Sequence, residues 1–476
     1  MHTGTIISNS KIEFGTSGAR GLVSDFSSSV VFSYVYNFLK HMEIDFAFTS
    51  VALGIDNRPS SYEIAQSCAF AILKAGYRVN FYGVLPTPAL ALQGLSSCIP
   101  AVMVTGSHIP FDRNGLKFYR PDGEINKKDE YHICNANYIV NADLAKLPKL
   151  IESSAAKENY MSRYINIFSP TFLSGKHIGI YEHSSSGRDI YAKLFENLGA
   201  KVTPLERSDT FVPIDTEAVS QVDRDKAVTW SKDFHFDAIF STDGDGDRPL
   251  VADENGEWLR GDILGLFAAH ALNVQAIAIP VSCNSSIELS NLIPVVKRTK
   301  IGSPFVIEAF GELLQTYSCV AGFEANGGFL LASDIIFDGK LLQALPTRDA
   351  VLPFLMLLYY AKNETITKCL DRLPKRFSTS DRVSDFNKDN SNKIINLLQD
   401  NQSEFISKIL DEEVYITDVD VTDGIKMKLG TGDFIHFRPS GNAPEFRCYV
   451  ESACAIRAEL VLKKLISFLK NYNLIC

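Results

Sequence analysis

Between residues 51 and 105 the apolar positions switch repeatedly between a period of two and a helical period. An apolar run at 51–55 gives way to a helical pattern at 62–75, a strand at 78–82, a short helix after Pro88 and a strand at 101–105. Strand and helix in strict alternation predict a βαβαβ unit. The order returns from Lys176, where the strand HIGIYEH precedes the polar loop Ser184-Ser185-Ser186-Gly187, a helix to Leu198, a strand at 201–205 and a later strand at 237–241. A third copy runs from a strand at 276–279 through a loop at 282–286, a helix, a strand at 294–298, a helix at 305–316 and a strand at 319–323. Residue identity between the copies is low, but the shared order marks internal repetition.

From about residue 375 the pattern changes. Polar segments (DFNKDNSNK, LLQDNQSE) lead to strand-like runs at 424–429 and 433–438, joined by a Gly430-Thr431-Gly432 turn. A strand at 446–451 and a closing helix at 455–470 follow. This predicts a small α+β domain. The soft boundaries give domains at 1–153, 154–256, 257–372 and 373–476. The two most apolar windows, 263–281 and 350–361, are interrupted by polar residues or too short to span a membrane.

Composition narrows the classes. The chain has 476 residues, 46% of them apolar and 22% charged, enough for several packed domains. A net charge of −9 argues against a nucleic-acid or anionic-membrane binder. Nine cysteines, widely spread and without a C-x-x-C pair, fit reduced thiols. The start, MHTGTIISNSKIEF, lacks the basic and apolar regions of a signal peptide, so a cytoplasmic protein is expected.

Four segments could carry chemistry. Asp243-Gly244-Asp245-Gly246-Asp247-Arg248 follows a strand, and its alternating carboxylates suit one hard divalent cation. An acidic surface turn is the plainer alternative. A calcium EF-hand loop is excluded because Arg248 and Pro249 fall where that loop needs glycine and ordinary backbone. Thr105-Gly106-Ser107-His108-Ile109-Pro110 starts at a strand end, where a serine hydroxyl can be a nucleophile, a phosphate carrier or simply part of a turn. Lys117 stands ten residues downstream of Ser107, as a possible proton or phosphate ligand or a solvated lysine. Arg438-Pro439-Ser440-Gly441-Asn442 with Arg447 offers guanidinium groups and flexible backbone that suit a phosphate monoester, or else a hairpin with surface arginines. Gly322-Phe323-Glu324-Ala325-Asn326-Gly327-Gly328 is a Gly-rich turn whose Glu324 and Asn326 could bond sugar hydroxyls.

In order along the chain, FGTSGARG (14–21), GIDNRPSS (54–61), VTGSHIPFDRNGLKFY (104–119), DGDGDR (243–248), GFEANGG (322–328) and RPSGNAPEFR (438–447) resemble the motifs of the α-D-phosphohexomutase family, the phosphomannomutases and phosphoglucomutases. The resemblance implies an α/β fold of four domains round a central cleft, three similar mixed α/β domains and a C-terminal α+β domain. It implies that Ser107 is the phosphoserine, that Asp243, Asp245 and Asp247 with Ser107 hold Mg2+, and that Arg20, Lys117 and His108 stand beside the reacting groups. Arg248, Lys300, Glu324, Asn326, Arg438, Ser440, Gly441, Asn442 and Arg447 would bind substrate. A lysine acting as base at neutral pH needs burial among other cations, which is expected for Lys117.

The implied activity is magnesium-dependent isomerisation, most specifically of mannose 1-phosphate and mannose 6-phosphate through a hexose 1,6-bisphosphate that also serves as activator. A phosphoglucomutase or bifunctional enzyme, a catalytically silent sugar-phosphate binding protein and a metal-dependent phosphatase are the alternatives. The expected partner is a hexose phosphate, with no nucleic acid and no membrane, and the enzyme a monomer or homodimer. The chain departs from the commoner family pattern at Gly106, Ile109 and Ala443. Gly328 and Ser303 stand where some relatives carry cleft histidines.

Overall fold

In the computed structural model, which describes residues 1–15, 18–144, 146–439 and 445–475, three successive mixed sheets with flanking helices lead to a final antiparallel sheet. The first three share one core topology. In the first, Ser50–Ile55 lies between Arg78–Val84 and Ala101–Val104, both parallel to it, and Arg113–Arg120 returns antiparallel beside Ala101–Val104. In the second, His177–His183 lies between Lys201–Arg207 and Ala238–Thr242, and Pro249–Ala252 returns antiparallel. In the third, Ala276–Pro280 lies between Val295–Thr299 and Val320–Phe323, and Phe329–Leu331 returns antiparallel.

The repeat therefore holds one strand more than the hydrophobic pattern predicts. The returning strands are hidden for physical reasons. Pro249–Ala252 and Phe329–Leu331 are too short for a period to show, and Asn114-Gly115 inside Arg113–Arg120 mimics a turn. Asn114 is instead buried, donating through Nδ2 to Ser60 Oγ at 2.9 Å and Ser61 Oγ at 3.0 Å. Gly115 is required by close approach: a Cβ there would lie 2.7 Å from the Ala19 carbonyl and 2.8 Å from that of Thr105.

Strand pleating distributes the core. Val51, Leu53 and Ile55 pack with helices Ser28–Asp45 and Ser61–Lys74, whereas Ala52 and Met103, on the other face, join Thr87–Ser97 and Ala155–Ile165. That second core runs on without a break through Ile178 and Ile180 of the second sheet to Ile277 and Ile279 of the third. The two apolar sequence windows belong to it: helices Gly261–Ala271 and Val351–Tyr360 are buried there. Among the described residues no helix is long and apolar enough to cross a membrane.

The last sheet runs Phe377–Ser384, Glu445–Ser452, Phe434–Pro439, Ile425–Leu429 and Ile416–Asp420, all antiparallel. It builds its own core with helix Ala455–Ile475. The polar segments noted above form helices Lys388–Asp400 and Gln402–Leu410, the first capped by the Asn387 side chain on the Asp389 amide. Each turns only a narrow apolar stripe inward, Ile394 and Leu398 from one and Ile406 and Leu410 from the other.

Two histidines are buried as neutral rings. His183 Nε2 lies 2.9 Å from the Thr242 carbonyl and His436 Nε2 2.6 Å from that of Asp423. Burial pulls both from the ordinary 6.5 down to about 4. The unfolded chain takes up these protons near pH 6.5 and the folded one only near pH 4, so their stability contribution is present above 6.5 and lost between 6.5 and 4. Urea unfolding free energy is expected to drop across that window by up to about 3 kcal/mol per histidine, and His183→Asn to make the decline shallower.

Candidate active site

Each of the three repeats turns from its third parallel strand into its returning strand through a loop, and those loops hold Ser107, the Asp243–Asp247 run and Glu324 respectively. Ser107 is fully buried with φ +54°, a left-handed conformation that is uncommon for a residue with a Cβ and persists where surrounding contacts enforce it. Arg58 enforces it. Its Nη2 donates to the carbonyls of Ser107 (2.8 Å) and Ile109 (2.5 Å), Nη1 to those of Pro110 (2.6 Å) and Arg113 (3.0 Å), and Nε to Asp56 Oδ2 at 3.1 Å. Asp56 in turn accepts from Thr105 Oγ1 at 2.8 Å and Ser61 Oγ at 2.6 Å. The guanidinium lies 4.0 Å from the centre of the Phe211 ring. This buried fork accounts for Gly106: a Cβ there would stand 2.6 Å from Arg58 Cζ.

Ser107 Oγ donates to Asp243 Oδ2 at 2.8 Å. Ligand oxygens of Asp243, Asp245 and Asp247 lie within 4.8 Å of one another, and all three residues are buried. Lys117, carried in by the returning strand, donates from Nζ to Asp245 Oδ2 at 2.6 Å and Asp247 Oδ2 at 2.7 Å. Thr87 closes the other side, its Oγ1 donating to Asp245 Oδ2 at 2.8 Å and its amide to the Asp245 carbonyl at 2.8 Å. That places the positive end of helix Thr87–Ser97 against the acidic loop.

The charges do not share this burial equally. Burial and then the charges of Asp245 and Asp247 hold the Asp243 carboxyl well above its usual range. Burial acts on Asp245 in the same direction, but Lys117 and Thr87 outweigh it and the net shift is downward. Asp245 Oδ1 and Asp247 Oδ1 are buried with no hydrogen-bond partner. Lys117 goes opposite to the expectation for a base: burial lowers it, yet Asp245 and Asp247 more than compensate and the ammonium is held above its usual value. Arg20 takes the shift expected of Lys117, with burial and then Arg248 bringing it down to about 10.

His108 Nδ1 lies 3.0 Å from Arg248 Nη1, and burial followed by the Arg248 charge brings its pKa to about 4. A guanidinium only donates, so the contact makes Nδ1 the acceptor and leaves the proton of the neutral ring on Nε2. Arg248 also faces Asp247 Oδ1 at 3.8 Å and Asp243 Oδ2 at 4.0 Å.

Glu324 and Asn326 are buried in the third loop, where Asn326 Oδ1 accepts from the Gly328 amide at 2.9 Å. Glu324 Oε2 is paired with Arg348 Nε, and Arg348 Nη1 lies 3.7 Å from Asp247 Oδ2. Arg438 and Arg447 are directly opposed on neighbouring strands of the last sheet. Arg438 Nε donates to Asp423 Oδ2 at 2.9 Å, and the same oxygen accepts from the Ile301 amide at 2.9 Å, which ties the last sheet to the loop holding Lys300. Lys300 itself is exposed, its Nζ 5.7 Å from the centre of the Phe305 ring, and it contacts none of the acidic loop. Ser440, Gly441 and Asn442 lie outside the described residues.

The geometry thus unites Ser107, His108, Lys117, the three aspartates, Arg248 and Glu324. It adds Asp56, Arg58, Thr87 and Arg348, to which the sequence reading gave no role. Asp56 and Arg58 stand in the GIDNRPSS motif, so a signal existed. Thr87 and Arg348 sit in stretches without any motif.

The profile of phosphoglucomutase/phosphomannomutase, alpha/beta/alpha domain I, matches residues 11–138. The chain is 53% identical to a phosphomannomutase of Salmonella muenchen over 474 residues, covering 99% of this chain and 98% of the relative. It is 41% identical to a phosphomannomutase of Sinorhizobium fredii, covering 96% and 99%. Its fold matches a phosphoglucomutase/phosphomannomutase family protein from Burkholderia thailandensis with a TM-score of 0.75 at 18% identity, over 96% of this chain and 97% of that one. It also matches an Aspergillus fumigatus N-acetylphosphoglucosamine mutase, solved in complex with GlcNAc-6P and magnesium, with a TM-score of 0.60 at 13% identity over 99% and 98%.

Gly106→Ala is expected to cost about 1–3 kcal/mol in chemical denaturation through overpacking against Arg58. In the double variant with Arg58→Lys, the total loss should fall short of the sum of the single losses, because both substitutions disturb one contact.

Proposed function

The chain belongs to the phosphoglucomutase/phosphomannomutase family, and on that premise we propose that it interconverts mannose 1-phosphate and mannose 6-phosphate through a phosphorylated Ser107. The observation that carries this reading is the placement of Ser107 Oγ, fixed in a left-handed turn 2.8 Å from Asp243. The names of the two relatives favour mannose phosphate over glucose phosphate. The Gly106 departure does not favour a silent binding protein, because Arg58 occupies the space of the missing methyl group.

The donor set fits a hard divalent cation, since buried Asp245 Oδ1 and Asp247 Oδ1 accept no hydrogen bond beside Asp243. Asp243, Asp245 and Asp247, with an oxygen on Ser107, would hold magnesium, which neutralises charge on a transferring phosphoryl group. The residues of the chain do the rest. The phosphoryl group leaves Ser107 Oγ as its phosphorus bonds to the free hydroxyl of a hexose phosphate, giving a hexose 1,6-bisphosphate. Such a transfer is loose and needs alignment and charge neutralisation more than a strong base. Lys117, kept cationic by Asp245 and Asp247, is an electrostatic clamp here. Neutral His108 offers its Nε2 proton as a hydrogen-bond donor to a phosphoryl oxygen. The proton of the attacking hydroxyl ends on Ser107 Oγ as that oxygen loses its phosphorus, and Arg20, a buried cation beside Arg248, is assigned a phosphoryl oxygen as a hydrogen-bond donor.

The bisphosphate then reverses in the cleft and returns its other phosphate to Ser107, releasing the isomer and restoring the phosphoserine. Both ends of the ligand must be held alternately at the serine and at the last sheet. Arg438 and Arg447, opposed across two strands, are assigned the distal phosphate with Ser440, Gly441 and Asn442. Glu324 and Asn326 are assigned the sugar hydroxyls, and Lys300 is assigned to the substrate from the loop whose Ile301 amide shares Asp423 with Arg438.

Isomerisation of mannose 1-phosphate with magnesium and a trace of hexose 1,6-bisphosphate is the direct test. Absence of turnover with both mannose and glucose phosphates refutes the reading. Ser107→Ala should abolish turnover and remove the single phosphoryl increment seen by intact-mass spectrometry. Chelation of divalent cations, or Asp245→Asn, should lower kcat by about 100-fold or more with the protein still folded.

A further inference from the structure

We infer that Arg348 is a positioning residue that ties the sugar loop to the acidic loop and thereby sets discrimination between hexose epimers. This rests on the proposed function above and deepens it. Arg348 is 4% exposed, on the strand Leu345–Asp349 that pairs with Phe329–Leu331. Its stem occupies space that only glycine at 328 leaves open: a Cβ on Gly328 would lie 2.6, 2.7 and 3.0 Å from Arg348 Cδ, Cγ and Cβ. From there Nε reaches Glu324 Oε2, and Nη1 lies 3.7 Å from Asp247 Oδ2. That aspartate oxygen also accepts from Lys117 Nζ at 2.7 Å. A line of alternating charge, Glu324, Arg348, Asp247, Lys117, Asp245, therefore links the loops of the second and third repeats to the returning strand of the first.

The residues beside Arg348 are pinned. Thr347 Oγ1 donates to Glu124 Oε1 at 2.7 Å, and Ser303 Oγ donates to the other oxygen of Glu124 at 3.2 Å. Asp349 accepts from Tyr160 Oη at 2.6 Å on one oxygen and from Tyr164 Oη on the other. The strand is thus anchored on both sides of Arg348, so the guanidinium arrives preorganised. Burial lowers its hold on a proton, but Glu324, Asp247 and Glu124 outweigh that and keep it charged.

A carboxylate that reads sugar hydroxyls must be confined to one rotamer at a fixed distance from the phosphoryl-transfer centre. Arg348 supplies both constraints on Glu324: it engages Oε2 and leaves Oε1 for a ligand hydroxyl. Mannose and glucose differ only in whether the C2 hydroxyl is axial or equatorial, so a mobile Glu324 would accept either. The planar fork suits two acceptors at once, and an ammonium does not replace it.

The test uses the full-length protein and four variants: Arg348→Met, Arg348→Lys, Gly328→Ala and Glu324→Gln. Expected for both Arg348 variants is a fall of about 30-fold or more in kcat/KM for the preferred epimer. The ratio of kcat/KM for mannose 1-phosphate to that for glucose 1-phosphate should move towards unity, with Ser107 phosphorylation by the bisphosphate retained. Gly328→Ala keeps the charge but displaces the stem, and should shift the ratio the same way. Arg348→Met and Glu324→Gln should be strongly non-additive in a double-mutant cycle. An unchanged epimer ratio in both Arg348→Lys and Gly328→Ala, or additive losses, overturns the inference. Calorimetric binding of the two hexose 1-phosphates on a Ser107→Ala background reads the ratio of their affinities without turnover, and that ratio should move the same way. A wild-type protein that binds but does not isomerise would refute the proposed function and still decide the role of Arg348.

Discussion

Three carboxylates buried within one pocket repel one another, and the arrangement of the site answers that repulsion. Lys117 spans Asp245 and Asp247, Arg248 faces Asp243 and Asp247, Arg348 approaches Asp247, and the Thr87 end of a helix points at Asp245. The groups come from different repeats, so the acidic loop is electrostatically tolerable only when the repeats are assembled round it. The same loop receives the Ser107 hydroxyl on Asp243. Charge balance and catalytic alignment are thus one requirement met by one set of contacts.

The repeated topology makes that convergence possible. A strand flanked by two parallel neighbours and followed by an antiparallel return places a turn at the same corner of each sheet. Three such corners brought together by a continuous core present a serine, an acidic run and a glutamate to one another. The returning strand is as important as the turn, since Lys117 sits on it and reaches back across the corner. The second layer of support lies beneath the first turn, where Arg58 binds carbonyls and holds Ser107 where its backbone would otherwise not rest.

Much of this was legible in the residues. The parallel strands and their helices followed from periodicity, and the turns bearing Ser107, Asp243–Asp247 and Glu324 from glycines at strand ends. The returning strands were not legible, because a strand of a few residues has no measurable period and Asn114-Gly115 reads as a turn until its neighbours are known. The helices near residues 388–410 were obscured by polar faces that only their packing on the last sheet explains. The direction of the Lys117 shift was also out of reach, since it depends on carboxylates more than a hundred positions away. Arg348 lies in no motif, and its role depends on a missing side chain at Gly328 rather than on anything in its own neighbourhood.

The corner arrangement has a consequence for how such a protein can change. A residue added to any of the three turns lengthens a loop without altering a strand register, so the chemistry at one corner can drift while the other two keep theirs. Under the proposed function, substrate preference would reside at the Glu324 corner, the phosphate carrier at the Ser107 corner and the charge-neutralising group at the Asp243 corner. New sugar preferences are therefore accessible to a chain of this design by remodelling a single corner together with the strand that braces it.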